Sequence, residues 1–207
     1  MAFAVRLRLY RTIGTVLHMA PRLVSDRQLV ERLTELFRQV GYDGASLGTI
    51  AAATGLQKSS LYHRFPGGKQ QMAAEASAAV TDEFATSVLA PMGTDDPLDQ
   101  RVAAIAANLD RFYDGGKRHC LLDMLSVGDP GAAAATNLAA AAAAWTEVFA
   151  ALARESGVDR ATARDRAEDA VAAIEGALVV ARVTGDRGVF RRAVHSLPER
   201  LLGAERS

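Results

Sequence analysis

Apolar residues recur at intervals of three and four along most of the chain, and no stretch alternates apolar and polar residues with a period of two. The first strong example begins at Ser25, which can form a capping box with Gln28, and it continues to Gly41. Glycine commonly follows the last turn of a helix because it adopts positive φ without strain. The pattern predicts a helix over this stretch, with its apolar positions at Leu29, Val30, Leu33, Leu36, Phe37 and Val40.

Further helical patterns follow, separated by short breaks rich in Gly, Pro and Asp. Long alanine runs, few aromatic residues and few prolines also favour helices over strands. The sequence therefore predicts an all-α fold, with Pro198 bending the last helix or ending it early. The predicted helices after the first lie at about 46–55, 57–65, 69–90, 98–113, 132–156, 159–184 and 187–202, with a shorter apolar element at about 117–127.

The first three predicted helices have the arrangement of a helix-turn-helix. Ala51 precedes Gly55 by four residues, so a small side chain lets two helices pack closely, and Gly55 can supply the positive φ of the turn. The helix after this turn is the one that enters the major groove of DNA in such motifs. The apolar residues expected to fasten the pair to the first helix are Ile50, Leu56, Leu61 and Phe65.

Several polar side chains of this segment fall off the apolar stripe and are expected to face DNA. Lys and Ser can donate to phosphates or base edges, Tyr can donate to a phosphate, and His can do either. The candidate DNA-binding residues are Ser46, Thr49, Lys58, Ser59, Ser60, Tyr62, His63 and Lys69. Ser46 also fits a simple helix cap and Tyr62 a packing residue, and the pattern assigns no role to Arg64.

The formal net charge of zero conceals an asymmetry between the two parts of the chain. Residues 1–69 contain ten Lys and Arg against four Asp and Glu, a net charge of +6, so the rest contains 14 against 20, a net charge of −6. A basic first part joined to an acidic remainder is typical of a module for a polyanion attached to one that avoids it. A chance excess of surface arginines is the alternative.

The stretch SLGTIAAATGLQKSSLYHRFPGGKQQM resembles the DNA-binding domain of the tetracycline-repressor (TetR/AcrR) family of transcriptional regulators. The resemblance covers about residues 25–75. The matching positions are Phe37, Gly41, Ile50, Ala51, Gly55, Leu61, Tyr62, Phe65 and Lys69. Two features depart from the family pattern: Gln57 stands where members often have Ser or Thr, and PGGK is one residue longer than the commoner turn.

The resemblance implies a helix-turn-helix DNA-binding domain at 25–70 and a larger helical effector-binding and dimerisation domain at 71–207. It implies a homodimer that binds double-stranded DNA at a palindromic operator, and a repressor released by a small apolar or aromatic effector. Residues 1–24 are an uncertain N-terminal extension. We expect a poorly ordered arm or an early start codon, since Met19 lies just before the first helical signal, rather than a basic arm for a DNA groove.

The acidic part of the chain contains residues that suit an effector pocket or a dimer interface. Trp145 and Phe149 share a face of their helix, and an apolar pocket needs such residues, although an ordinary core does too. The candidate pocket residues are Phe84, Phe112, Met124, Trp145 and Phe149, with Leu125 close by in sequence. Small residues of 159–184, including Gly176, with Phe190 and Val194, suit packing across a two-fold axis.

Two other functions remain as alternatives. An all-α enzyme would use His119 and Cys120, but no Asp or Asn partner and no glycine turn for an oxyanion is recognisable beside them. A helical adaptor would bind a protein partner through the helix-turn-helix face. The four histidines lack metal-ligand spacing, and no phosphate-binding glycine loop is present, so we expect no metal and no cofactor. A single cysteine and the lack of an apolar stretch of membrane length favour a cytoplasmic protein that does not enter the membrane.

Overall fold

The computed structural model describes residues 24–203, and every regular element in that range is helical. The predictions for 1–24 therefore concern residues that, apart from Val24, lie outside the described range. Short 3-10 turns occupy Ala90–Gly93 and Asp114–Gly116. The α-helices are α1 (Asp26–Gly44), α2 (Leu47–Thr54), α3 (Lys58–Arg64), α4 (Gly68–Ser87), α5 (Leu98–Phe112), α6 (Leu121–Ser126), α7 (Ala132–Glu155), α8 (Arg160–Thr184), α9 (Gly188–His195) and α10 (Leu197–Leu202).

Helix α1 begins and ends where the local sequence predicts. The Ser25 hydroxyl accepts the Gln28 N–H at 3.2 Å, and the Gln28 side chain accepts the Ser25 N–H at 3.1 Å, which completes the capping box. Gly41 has φ 69° and ψ −177°, so the regular helix breaks there before a last turn that ends at Gly44. The polar caps and the glycine thus fix this element without help from distant residues.

Helices α2 and α3 form the helix-turn-helix. Gly55 adopts φ 72° and donates its N–H to the Ala51 carbonyl at 3.0 Å, which closes α2 and turns the chain toward α3. Arg32 of α1 donates to the carbonyl of buried Thr54 at 2.8 Å, so the turn is tied to the first helix. The predicted anchors are buried: Ile50, Leu61 and Phe65 are inaccessible, and Leu56 is half-buried.

Helix α4 belongs to both hydrophobic cores of the molecule. Its first half contributes Met72, Ala73 and Ala76 to the core under α1–α3, which also includes residues of α6 and α7. The second core lies among α5 and α7–α10, and Val80 of α4 packs against both cores. The packing therefore continues through the predicted boundary at residue 70.

The C-terminal helices correct two predictions. The predicted helix over about 187–202 is two helices, α9 and α10, and Pro198 lies in the first turn of the second, where proline is tolerated. Phe190 and Val194, predicted at a two-fold interface, are 0% and 1% exposed in the core of their own chain. Helical spacing shows that such residues are buried but not which neighbour covers them.

None of the helices within residues 24–203 is long and apolar enough to cross a membrane.

Candidate nucleic-acid interface and neighbouring cavity

One face of α3 is exposed and polar, while the opposite face is anchored in the core. Leu61 is inaccessible, and Tyr62, one position later, is 51% exposed. Gln57, at the N-cap, makes no side-chain capping bond to the first turn. The predicted contact residues of α3 are all exposed: Lys58, Ser59, Ser60, Tyr62 and His63.

The start of α2 presents a second exposed polar group. The Ser46 hydroxyl accepts the Thr49 N–H at 3.1 Å, and the Thr49 hydroxyl donates to the Ser46 carbonyl at 2.9 Å. Ser46 is therefore a helix cap, and both side chains remain exposed. A helix N-terminus with exposed hydroxyls also suits a phosphate, so capping and DNA contact are compatible.

Lys69 is held inside the chain, unlike the other predicted DNA contacts. Its ammonium donates to the Tyr42 carbonyl at 3.0 Å and lies 4.0 Å from the centroid of the Tyr42 ring. These contacts join the first turn of α4 to the last turn of α1. The side chain is half-buried and acts as a tether in this conformation.

Arg64, which the sequence left without a role, also joins helices. Its Nε lies 3.1 Å from Asp26 Oδ1 on α1, and its Nη2 lies 4.0 Å from Glu75 Oε2 on α4. Its guanidinium also stacks 5.2 Å from the Phe65 ring centroid. Arg64 therefore fixes the orientation of α3 against the two longer helices.

The positive charge of the N-terminal part is less available to DNA than the sequence predicts. Six of its ten basic residues lie within 24–203, and five of these bind groups of the chain itself. Lys58 is the exception in that range and is exposed on α3. The five that bind within the chain are Arg27, Arg32, Arg38, Arg64 and Lys69.

An apolar cavity of about 70 Å³ lies beside α4, with Arg38 of α1 in its lining. Phe84 lines the cavity, and its ring centroid lies 5.3 Å from that of Phe112 and 4.9 Å from that of Trp145. Three of the five predicted pocket residues therefore come together here. The lining also includes Arg38, Ser77, Val80, Thr81, Ala85, Leu89, Tyr113, Cys120, Leu121, Leu122, Leu138, Ala141 and Ala144.

The other two predicted pocket residues do not line this cavity. Phe149 is fully buried behind Trp145, with the ring centroids 5.9 Å apart. Met124 lies at a separate surface groove near Gly41, where its sulfur is 2.7 Å from Arg182 Nη1. Leu125, on the same short helix, packs in the core under α1–α3. Because α6 has only six residues, its sequence does not indicate which of its sides faces each core.

Arg38 is a charged lining residue that the sequence pattern did not indicate. It is 1% exposed, and its Nη1 donates to the His119 carbonyl at 2.6 Å. Burial lowers the pKa of Arg38, and the nearby positive charge of Arg118 lowers it further. Arg38 follows Thr34 by four residues, and both are buried, so helical spacing could have signalled its inward direction.

Cys120 and His119, the candidate catalytic pair, are engaged in packing. The Tyr113 hydroxyl donates to the Cys120 sulfur at 3.5 Å, and the His119 Nδ1 is 3.0 Å from the Arg38 carbonyl. Burial, reinforced by the charge of Glu175, raises the pKa of the Cys120 thiol to about 12. A thiol with such a pKa stays protonated at neutral pH and is a poor nucleophile. Within residues 24–203, no three His, Cys, Asp or Glu side chains are grouped to hold a metal ion.

Comparison with known proteins agrees with this architecture. Residues 29–76 match the family model for bacterial regulatory proteins of the tetR family. Residues 96–196 match the model for the C-terminal domain of LmrA/YxaF-like transcriptional regulators. The two models together cover most of the chain. The chain belongs to the TetR family of transcriptional regulators.

The relatives of this TetR-family chain are similar in its DNA-binding part and in its overall fold. The transcriptional regulator LmrA of Bacillus subtilis is 44% identical over 52 residues, which span 25% of this chain and 28% of LmrA. A TetR regulator from Legionella pneumophila has a TM-score of 0.76 at 17% identity, over 87% of this chain and 99% of that one. CifR, solved with a 26-bp double-stranded operator DNA, has a TM-score of 0.68 at 22% identity, over 87% of this chain and 98% of the CifR chain.

Membership of the TetR family removes support from the enzyme alternative. The matched family models and the curated relatives are transcriptional regulators rather than enzymes. His119 has a structural role because it joins α1 to the segment before α6, and Cys120 has one because it packs in the core beside the cavity.

Proposed function

We propose that this TetR-family protein is a homodimeric transcriptional repressor that binds a palindromic operator through α2 and α3. We further propose that a small apolar or aromatic effector in the cavity beside Phe84 releases it. The observation that carries the proposal is the two-sided character of α3. Leu61 anchors one side, while Lys58 and Tyr62 stand exposed on the other.

Direct recognition requires the exposed side of α3 to lie in the major groove. Lys58, Ser59 and His63 would then reach bases or phosphates, and Tyr62 would donate to a phosphate. Ser46 and Thr49, at the start of α2, would contact the adjacent backbone. Arg64 supports this arrangement because its ion pairs hold α3 against α1 and α4.

Dimerisation would use the outer face of α8. Val180 and Val183 are 42% and 78% exposed, and a Cβ at Gly176 would meet open space. Exposed valines beside a small residue on a long helix favour close packing against a second copy. Such a dimer binds two half-sites when its two α3 helices lie about 34–36 Å apart.

Helix α4 would couple the cavity to the DNA-binding helices. Its Phe84 forms a cavity wall, while its Met72 lies in the core under α1–α3. A cavity of about 70 Å³ is smaller than typical ligand sites of about 300–1,000 Å³, so an effector would have to move its walls apart. An effector that favours the shifted α4 would weaken operator binding, and a coupling of about 1–3 kcal/mol is sufficient.

The test is binding of the purified protein to the DNA upstream of its own gene, measured by fluorescence anisotropy at several salt concentrations. We expect an affinity that falls steeply with salt, because phosphate contacts release counterions. Lys58→Ala combined with Tyr62→Ala should abolish specific binding. Lys117→Ala, which removes a positive charge from an exposed site in the larger domain, is the control and should bind like the wild type.

Other outcomes would exclude the proposal. Salt-independent or undetectable duplex affinity would favour an adaptor that uses the same face against a protein. Equal loss of binding in the α3 double variant and in the Lys117 control would show that α3 is not the reading helix.

A further inference from the structure

We propose that Arg38 binds an anionic group of the effector, so that the cavity selects aromatic or aliphatic compounds that carry a carboxylate or a comparable acidic oxygen group. This inference rests on the proposed effector function of the cavity and narrows its ligand class. It also gives the ligand a direct contact with α1, a helix of the DNA-binding part.

The hydrogen bonding of Arg38 is incomplete. Nη1 donates to the His119 carbonyl, but Nε and Nη2 are buried and have no hydrogen-bond partner anywhere within residues 24–203. A buried charged donor without an acceptor is unfavourable, and a planar carboxylate can accept from two guanidinium nitrogens at once. Arg38 lines the cavity, so a ligand inside it is the group that can reach these donors.

Among residues 24–203, neither Asp nor Glu lines the cavity, and no carboxylate forms a hydrogen bond with Arg38. The nearby Glu83 pairs with Arg118 at 3.3 Å. Glu175, whose carboxylate oxygens are buried near Cys120, forms no hydrogen bond with Arg38. Glu83 attracts the charge of Arg38 from outside the lining, but no carboxylate binds the guanidinium. A buried cation without a bound counter-ion favours a ligand of opposite charge.

Two other groups lie near the cavity. Arg118 stacks 5.1 Å from the Phe112 ring centroid, while Arg38 lies 5.5 Å from the same centroid, but Arg118 pairs with Glu83 and does not line the cavity. The indole Nε1 of Trp145, another lining residue, is buried and has no acceptor among residues 24–203. The remaining wall is largely apolar and aromatic, with a few hydroxyl groups such as those of Ser77 and Thr81. It therefore suits the body of the ligand rather than its acidic end.

The position of Arg38 links ligand binding to the DNA-binding helices. The backbone carbonyl of Arg38 lies 3.0 Å from His119 Nδ1, so two hydrogen bonds join α1 to the segment before α6. A carboxylate that binds the guanidinium would pull on α1 directly, in addition to the displacement of α4. The acidic group of the effector would therefore increase both the affinity of the effector for the cavity and the release of the protein from DNA.

A matched pair of probes tests the proposal: 4-tert-butylbenzoate, which is an anion, and 4-tert-butylbenzamide, which has nearly the same shape without the charge. Trp145 is the single tryptophan of the chain and lines the cavity, so its fluorescence reports binding at this site, with calorimetry for the dissociation constants. We expect the wild type to prefer the benzoate by at least about tenfold, a difference of about 1.4 kcal/mol.

Variants assign that preference to a residue. Arg38→Met should bind the two probes equally and keep the affinity of the wild type for the benzamide, with circular dichroism to verify folding. Arg118→Met should retain the preference, and Arg38→Lys should retain part of it. In the anisotropy assay, the benzoate should release DNA from the wild type at a lower concentration than the benzamide.

The outcomes separate this proposal from the one on which it rests. Benzamide binding without a preference for the benzoate in the wild type would overturn the role of Arg38 and leave the cavity as an effector site. A preference that survives in Arg38→Met, or disappears in Arg118→Met, would also overturn it. Binding of neither probe would overturn both proposals, while salt-dependent DNA binding would still stand on its own evidence.

Discussion

Replacing Lys69 with methionine distinguishes two roles for a residue that the sequence assigns to DNA. The structure holds its ammonium against the Tyr42 carbonyl at 3.0 Å and over the Tyr42 ring at 4.0 Å. Methionine keeps most of the apolar stem and removes the charge and the donor. The substitution therefore tests whether Lys69 mainly tethers α4 to α1 or mainly binds phosphate.

The expected loss of stability follows from the two contacts. A hydrogen bond to a charged group contributes about 1.5–3 kcal/mol, and an exposed cation–π contact about 0.5–1 kcal/mol. The Tyr42 carbonyl also accepts the Ala45 N–H at 3.1 Å, so it is not left unsatisfied in the variant. Lys69 is only half-buried, so solvent screens both contacts and reduces their sum. We therefore expect the free energy of unfolding to fall by about 1–2 kcal/mol.

The assay combines unfolding with DNA binding. Guanidinium unfolding followed by circular dichroism, at one protein concentration because of dimerisation, gives the stability. Anisotropy of the upstream DNA over about 0.05–0.3 M salt gives the salt slope. We expect Lys69→Met to retain the salt slope of the wild type. The matched control Lys58→Met should lose about one unit of slope and less than about 0.5 kcal/mol of stability.

The reasoning would be refuted by the opposite pattern. If Lys69→Met unfolds like the wild type but loses about one unit of salt slope, Lys69 is a phosphate contact and its bond to Tyr42 contributes little.

Three more predictions address the core and the turn. Burial raises the pKa of Glu175 to about 7. The buried carboxylate therefore destabilises the folded state as pH rises above the ordinary pKa near 4.5, and the loss of stability is complete above about pH 7. Glu175→Gln should therefore stabilise the protein at pH 8 by an amount of order 3 kcal/mol and have little effect at pH 4, and a pH-independent difference would contradict this. With a pKa of about 12, Cys120 should react with iodoacetamide at pH 8 only after denaturation, and rapid reaction of the folded protein would show that the thiol is accessible. Gly55→Ala should cost about 1–2 kcal/mol of unfolding free energy because φ is 72°, and it should also weaken DNA binding; unchanged melting would contradict the assigned turn geometry.

Local sequence determined the helices and the turn between α2 and α3. Ser25 with Gln28, Ser46 and Asp159 cap helices through bonds to residues two or three positions away. Gly55 ends α2 by adopting a positive φ, which glycine can do without any contact from distant residues. Such signals act within one turn of chain, so their effects can be derived without the fold.

The apolar spacing also identified the buried residues of the DNA-binding part. Leu61 and Phe65 lie four residues apart on one face of α3, and both are inaccessible. Tyr62, off that face, is half exposed. Because α3 packs on one side only, the spacing of its apolar residues indicates the buried face. The opposite face is then the candidate DNA face.

Only the tertiary structure decided which groups meet. Phe190 was predicted at a partner and packs in its own chain, and Met124 was predicted in the cavity and lies outside it. The charge count treated Arg38 as part of a basic surface, whereas the fold buries it in an apolar cavity. The physical reason is that helical periodicity gives the angle of a side chain about its own axis. The neighbour that covers that angle, and the charges it brings, depend on how the helices are arranged in space.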